Sequence, residues 1–205
     1  MVAIALQIID ENGADALTLR ALAQRLGSST ATIYRHVQNR ADLMEHVVER
    51  VLGEVQVEEI ALEDADWTVA FRAIGRGLFD AIGHHPHVAP VLAETVPTGP
   101  NAMALRERGV AVLLAHGFEP EPARVLTASF ARLVIGFAMQ LRSGPDAERA
   151  EAEARERLRT ADPDRYPALR ETAAAGTSSL GQELDLALDL FLAGMARAAA
   201  VDHTP

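Results

Sequence analysis

The chain has no cysteine and no lysine. Without cysteine there is no disulfide framework, no thiolate nucleophile and no cysteine-ligated zinc. Aromatic residues make up only 4% of the 205 positions. The apolar surface is therefore mostly Ala, Leu and Val, which suits helices more than sheets. No run reaches the roughly eighteen consecutive apolar residues of a membrane span. No basic segment precedes an apolar run near Met1, so no secretory leader is expected. These absences predict a cytoplasmic protein of all-α class, with no membrane association. Apolar residues reach 49%, enough to exclude extensive disorder and to fill a core in one large or two small domains.

What is present begins with charge. The formal net charge is −10, and all 19 basic residues are arginine. That balance does not suggest nucleic acid, but its distribution matters. Residues 1–45 carry Arg20, Arg25, Arg35 and Arg40 against Asp10, Glu11, Asp15, Asp42 and Glu45. The acidity therefore resides mainly in the rest of the chain, and a local positive face on an acidic protein is possible.

That face would lie in the segment TLRALAQRLGSSTATIYRHVQNR, Thr18 to Arg40. It holds two short helical patterns around a Leu26-Gly27 corner, the sequence form of a helix-turn-helix. Val2 to Asp10 reads as a preceding helix, stopped by Asn12-Gly13. Thr18 suits the N-cap of a helix over Leu19 to Arg25, and Ser28, Ser29 or Thr30 the cap of the next. Asn39 opens a longer amphipathic helix through Leu43, Val47 and Val51. A trihelical head follows, with Leu6, Ile9, Leu19, Leu22, Leu26, Ile33 and Val37 as its expected core. We place the domain boundary between residues 53 and 54.

The remainder also reads as helices. Asp66 caps a helix from Trp67 to about Gly83, and Pro86 breaks the His84-His85-Pro86-His87 stretch. Asn101 to His116 ends at Gly117, and Glu121 to about Leu141 ends at Ser143-Gly144-Pro145. Ala147 to Arg159 is a charged solvated helix or loop, Pro163 and Pro167 bracket a turn around Tyr166, and Leu180 to Ala199 is the last helix. Leu184, Leu188, Phe191, Leu192 and Met195 form an apolar side of that helix. With Phe130, Leu133, Val134 and Phe137 they predict a four-helix homodimer interface. Neighbouring His84 and His85 point in different directions, so the histidines read as solvated helix ends with no metal. No cofactor is expected. No glycine-rich phosphate loop, HExxH or GxSxG is present, which argues against an enzyme. A helical protein-interaction module without DNA binding, or a hydrolase, are the alternatives.

The segment Ala14 to Val55 resembles the DNA-binding head of the tetracycline-repressor (TetR) family of bacterial regulators. Leu19, Leu22-Ala23, Leu26-Gly27, Ile33-Tyr34-Arg35-His36-Val37, Asn39-Arg40 and Leu43 carry the likeness. Trp67, Gly117-Phe118, Gly136-Phe137 and the LDLALDLFLAGM ending resemble more loosely the tetracycline-repressor branch itself. The resemblance implies a ligand-responsive repressor. It would bind a palindromic double-stranded DNA operator as a homodimer and be released by a small molecule. It also implies a basic arm before the first helix, which Met1-Val2-Ala3 does not supply.

Within the head, Thr18, Ser29, Thr30 and Thr32 offer short hydroxyls to phosphates or base edges, and Ala31 could meet a thymine methyl. Tyr34 and His36 can donate to phosphate, and Arg40 lies near a helix N-terminus that also attracts anions. The resemblance places Arg20 within reach of the DNA. In the C-terminal part it places Leu78, Met103, Phe130, Phe137 and Gln140 around an effector cavity, with Trp67, Phe71 and His87 as additions. An apolar cavity with few polar groups suits an apolar or amphipathic effector. The tetracycline repressors hold a magnesium–drug chelate with a histidine and a glutamate. Leu92 and Gln140 stand at those places, so that chelate is not expected here.

Overall fold

Residues 1–56, 66–142, 145–173 and 178–201 are described by the computed structural model. Within them the chain forms eleven α-helices and two short 3₁₀ turns, with no strand. The Ser143-Gly144 stop lies outside the described residues.

The head contains α1 (Val2–Asn12), a 3₁₀ turn (Ala14–Ala16), α2 (Leu19–Arg25) and α3 (Thr30–Ile33). Helix α4 (Arg40–Leu52) connects it to the body. The boundaries follow local polar chemistry. Thr18 Oγ1 accepts from the Ala21 N–H, Ser29 Oγ from Thr32 and Asn39 Oδ1 from Asp42, at 3.0, 3.2 and 3.0 Å. Each cap satisfies an N–H that the first helical turn cannot bond. Gly27, at φ 62°, ends α2. Its N–H bonds to Gln24 O at 3.2 Å, and the Ser28 N–H to Ala23 O at 2.9 Å. Only a residue without a Cβ takes that left-handed step cheaply.

The head core holds Leu6, Ile9, Leu17, Leu22, Ile33 and Val37, closed from below by Leu43 and Val47 of α4. Two expected members differ. Leu26 is 37% exposed and Leu19 only partly buried. Leu17, preceding the Thr18 cap, fills the interior instead.

The body comprises α5 (Trp67–His84), α6 (Ala89–Glu94), α7 (Pro100–Ala115), α8 (Pro120–Ala138), α9 (Pro145–Arg159), α10 (Pro167–Ala173) and α11 (Leu180–Val201). Helices α5, α7 and α8 pack on one another and α11 lies across α5 and α8. Helices α9 and α10 pair with each other. Pro167, read as a turn boundary, instead opens α10, where its fixed φ and missing N–H suit the first turn. At Gly75 an added Cβ would sit 2.7 Å from Phe130 Cζ. The missing side chain is what lets α5 and α8 approach so closely.

The expected dimer stripe requires correction. Leu184, Leu188, Leu192, Met195, Phe130 and Val134 are buried within one chain, at 0–3% exposure, while Leu133, Phe137 and Phe191 are only partly buried. The buried residues anchor α11 to α5 and α8 and are not available to a second copy. The anchoring is reinforced by Arg76, whose guanidinium lies 3.1 Å from Asp185 and 3.2 Å from Gly181 O, and by an Arg72–Asp189 ion pair.

Candidate functional site

Around α3 the exposed face carries Thr30, Ala31, Tyr34, Arg35 and His36, with Arg20 on α2. Tyr34 is 59% exposed. An aromatic ring left out of the core, its hydroxyl without a partner among the described residues, is suited to an external acceptor such as phosphate. Arg20 and Arg35 have no ion-pair partner among the described residues. The other two head arginines are engaged. Arg25 forms a fork with Glu11 at 2.5 Å on each side, tying α2 to α1. The hydrogen-bonded Arg25 guanidinium holds the Glu11 carboxyl below its usual value, and the Glu11 carboxylate in turn raises Arg25.

Arg40, expected near the DNA at a helix N-terminus, is tied to the head's own backbone. Its Nε donates to Leu17 O at 2.8 Å and its Nη2 to Ala14 O at 2.7 Å. Thr18 and Ser29 likewise spend their hydroxyls as caps, and Ser29 Oγ and Thr32 Oγ1 share a hydrogen bond at 3.1 Å. The structure thus sorts the DNA-site expectations. Arg20, Thr30, Ala31, Tyr34 and His36 present outward, while Thr18, Ser29, Thr32 and Arg40 also shape the motif. Arg35 is an exposed cation that the sequence reading passed over, although its place within the Tyr34-Arg35-His36 run was the available signal.

In the body, aromatic rings form a connected series. Trp67 meets Phe118 edge-on with centroids 5.2 Å apart and Phe71 at 6.1 Å. Phe71 meets Phe130 at 5.0 Å, and Phe130 meets Phe191 at 6.0 Å. Gly117 (φ 83°) turns the chain so that Phe118 enters this group. Leu78 is buried on α5, and Phe137 is partly buried on α8. Phe118 and Phe191 were not among the expected site residues. Beside them, Thr127 Oγ1 is buried without a hydrogen-bond partner among the described residues. Thr127 also faces Gly109, where an added Cβ would come within 2.8 Å of Thr127 Cγ2 and 3.8 Å of Phe71 Cζ. An unpaired buried hydroxyl costs about 1–3 kcal/mol.

Three expected cavity residues stand elsewhere. Gln140 is exposed, because α8 ends at Ala138 and the apolar run does not continue as helix. Met103 is 53% exposed, with its sulfur 3.9 Å from Arg106 Nη1. His87 reaches the head, its Nδ1 3.0 Å from Ile9 O and 3.1 Å from Asp10 O. Leu92 is buried and Gln140 is exposed.

His84 is exposed at the end of α5, as expected, but His85 and His87 are not simply solvated helix ends. His85 Nδ1 lies 2.9 Å from Asp10 and its Nε2 3.1 Å from Glu54, joining α1 to the end of α4. Glu49 forms another joint. Its carboxylate accepts from the Asn101 and Ala102 N–H groups at 2.8 and 3.2 Å, capping α7. Asn101 Nδ2 returns a bond to Glu49 O at 2.8 Å. A side chain at Gly99 would strike Glu49, 2.3 Å from its Cδ.

Two family models cover these two parts. Residues 2–47 match the model for bacterial regulatory proteins of the tetR family. Residues 61–199 match the tetracyclin repressor-like C-terminal domain. The chain belongs to the TetR family.

An HTH-type transcriptional regulator of Saccharopolyspora erythraea is 31% identical over 207 residues, covering 98% of this chain and 85% of its own. A class G tetracycline repressor of Vibrio anguillarum is 29% identical over 149 residues, covering 73% of this chain and 70% of its own. The TetR-family protein ActR of Streptomyces coelicolor, solved in complex with actinorhodin, superposes with a TM-score of 0.82. It shares 31% identity, with 97% of this chain and 95% of ActR covered. As a TetR-family member, the chain is a ligand-responsive, DNA-binding transcriptional regulator of all-α fold. Among the described residues, no helix is long and apolar enough to cross a membrane.

Proposed function

We propose that the chain is a homodimeric repressor acting in the cytoplasm, divided into a DNA-binding head (residues 1–53) and an effector and dimerisation body (residues 54–205). Arg20, Thr30, Ala31, Tyr34, Arg35 and His36 contact the operator, with Thr18, Ser29 and Thr32 shaping the face and adding phosphate contacts. The carrying observation is that this exposed face holds unpaired donors while the neighbouring hydroxyls and arginines are consumed in building it.

Dimerisation uses a face of α8 and α11 different from the stripe read in the sequence. Leu186 and Leu190 are 60% and 66% exposed, and Val125 and Met139 are 44% and 49% exposed. Nothing stands within 4 Å of a Cβ added at Gly136 or Gly194. Large exposed apolar side chains beside such glycines favour close contact with the same helices of a second copy. Two heads about 34–36 Å apart would then address adjacent major grooves of a near-palindrome.

The effector binds among Trp67, Phe71, Leu78, Phe118, Phe130 and Phe137, with Thr127 as its polar anchor. ActR with actinorhodin shows that a relative of this fold accepts an organic ligand, and the aromatic series here suits an apolar or amphipathic one. Binding must favour the arrangement unable to grip the operator. Footprinting on the DNA flanking its own gene, with and without candidate effectors, tests the reading. Protection of a palindrome that disappears with effector is expected. Protection unaffected by every effector that raises the melting temperature would refute the coupling.

A further inference from the structure

We propose that Arg40 is a positioning residue for DNA recognition, acting through the helix-turn-helix backbone and not as a phosphate contact. The inference rests on the DNA-binding function of the head. The helix-turn-helix, Thr18 to Val37, enters from Leu17 and leaves toward Arg40. The Arg40 guanidinium spans those two ends, with Nε on Leu17 O at 2.8 Å and Nη2 on Ala14 O at 2.7 Å. Leu17 is fully buried, and Thr18, the next residue, caps α2. One side chain thus joins the entry of α2 to the exit of α3 across 23 positions of sequence. Its Nη2 lies 3.6 Å from Asp15, whose charge further offsets the cation.

The geometry requires arginine. Two carbonyls on separate backbone units are met by two N–H groups of one planar fork, and a lysine ammonium is a point donor on a flexible stem. Both hydrogen bonds are charge-assisted and fix α2 relative to α4. Because α3 is a single turn of helix between them, its placement on DNA is set by those two neighbours. Arg20 has no such tie and supplies the contrasting case.

The test uses the full-length protein and the tightest duplex selected from a random-sequence library. Affinity is measured from 50 to 300 mM salt at 10 °C, on variants whose folding is first verified by circular dichroism. Losing a phosphate contact flattens the log–log salt dependence by about 0.9 per contact, or about 1.8 for two heads. R20A is expected to show that flattening. R40A and R40K are both expected to bind about tenfold or more weakly at every salt concentration, with the slope unchanged. They are also expected to show faster amide exchange at Ala21 and Leu22, without a change in α5 or α8. R40K binding like the native protein, or R40A flattening the slope as R20A does, would overturn the proposal. Unchanged affinity of folded R40A and R40K would do so as well. If the native protein selects no duplex, the DNA-binding reading itself fails, a result separable from any ordering among the variants.

Discussion

In the head, helices begin and end on hydroxyls, an amide and an arginine fork that bond the backbone of their neighbours. In the body, helices meet through missing side chains and aromatic rings: Gly75 against Phe130, Gly109 against Thr127, and Trp67 against Phe118. A small domain with little apolar area depends on directional bonds, which also hold its exposed face in one shape. A larger bundle draws cohesion from packed area, which tolerates a ligand between its helices more readily than a fixed hydrogen-bond set does. The TetR-family chain thus joins a head held by directional bonds to a body held by packed area.

The largest effect should come from separating two bodies while leaving both heads intact. Replacing Leu186 and Leu190 together with glutamate should yield a folded monomer, because both side chains already face outward. Operator affinity should fall by about 100-fold or more through lost bivalency. Sedimentation and footprinting on the same sample check this, and a dimer that survives would remove α11 from the interface.

Two glycines of α5 sharpen the contrast within the body. Gly75→Ala should destabilise by about 1–3 kcal/mol, since crowding against Phe130 outweighs a helix-propensity gain of about 1 kcal/mol. Gly83→Ala meets only Leu141 Cδ1, at 3.7 Å, and should stabilise by about 0.5 kcal/mol. Urea unfolding of both variants reads the two signs.

Thr127→Val should raise stability by about 1 kcal/mol by removing an unpaired buried hydroxyl. If Thr127 anchors the effector, the same variant needs several-fold more effector for operator release. Improved stability with unchanged release would leave Thr127 as packing alone.

The smallest effect concerns Glu11, an exposed carboxyl held below its usual value by Arg25. A depressed carboxyl stabilises the folded form above its unfolded pKa, and that contribution fades as pH falls through the folded value. The native melting temperature should therefore drop slightly more than that of Glu11→Gln on acidification below about pH 4.5. Parallel curves would show that solvent has already cancelled the pair.

The sequence revealed most where structure is local. Thr18, Ser29, Asn39 and Asp66 cap the helices that their side-chain chemistry favours, and Gly27 and Gly117 end theirs in the left-handed conformation. It misled where two faces compete. Helix α11 is apolar on more than one side, and periodicity alone cannot say that Leu184 and Leu188 turn inward while Leu186 and Leu190 remain outside. Gln140 seemed internal because the apolar run was extended through the true end of α8. Long-range pairings such as Arg40 with the Leu17 carbonyl or His85 with Asp10 leave no periodic trace, since Arg40, His85 and Asp10 look like ordinary surface groups in sequence and a backbone carbonyl carries no sequence signal.

Helix α7 gives the molecule a pushrod. Its sixteen residues span about 24 Å at 1.5 Å per residue. One end is seated on Glu49 of α4, and the other turns through Gly117 into Phe118 beside Trp67. Because a helix barely compresses along its axis, an ångström gained at the aromatic end would reach the Glu49 joint nearly undiminished. A shift of that kind would tilt α4 and, with it, the head that joins its N-terminal end.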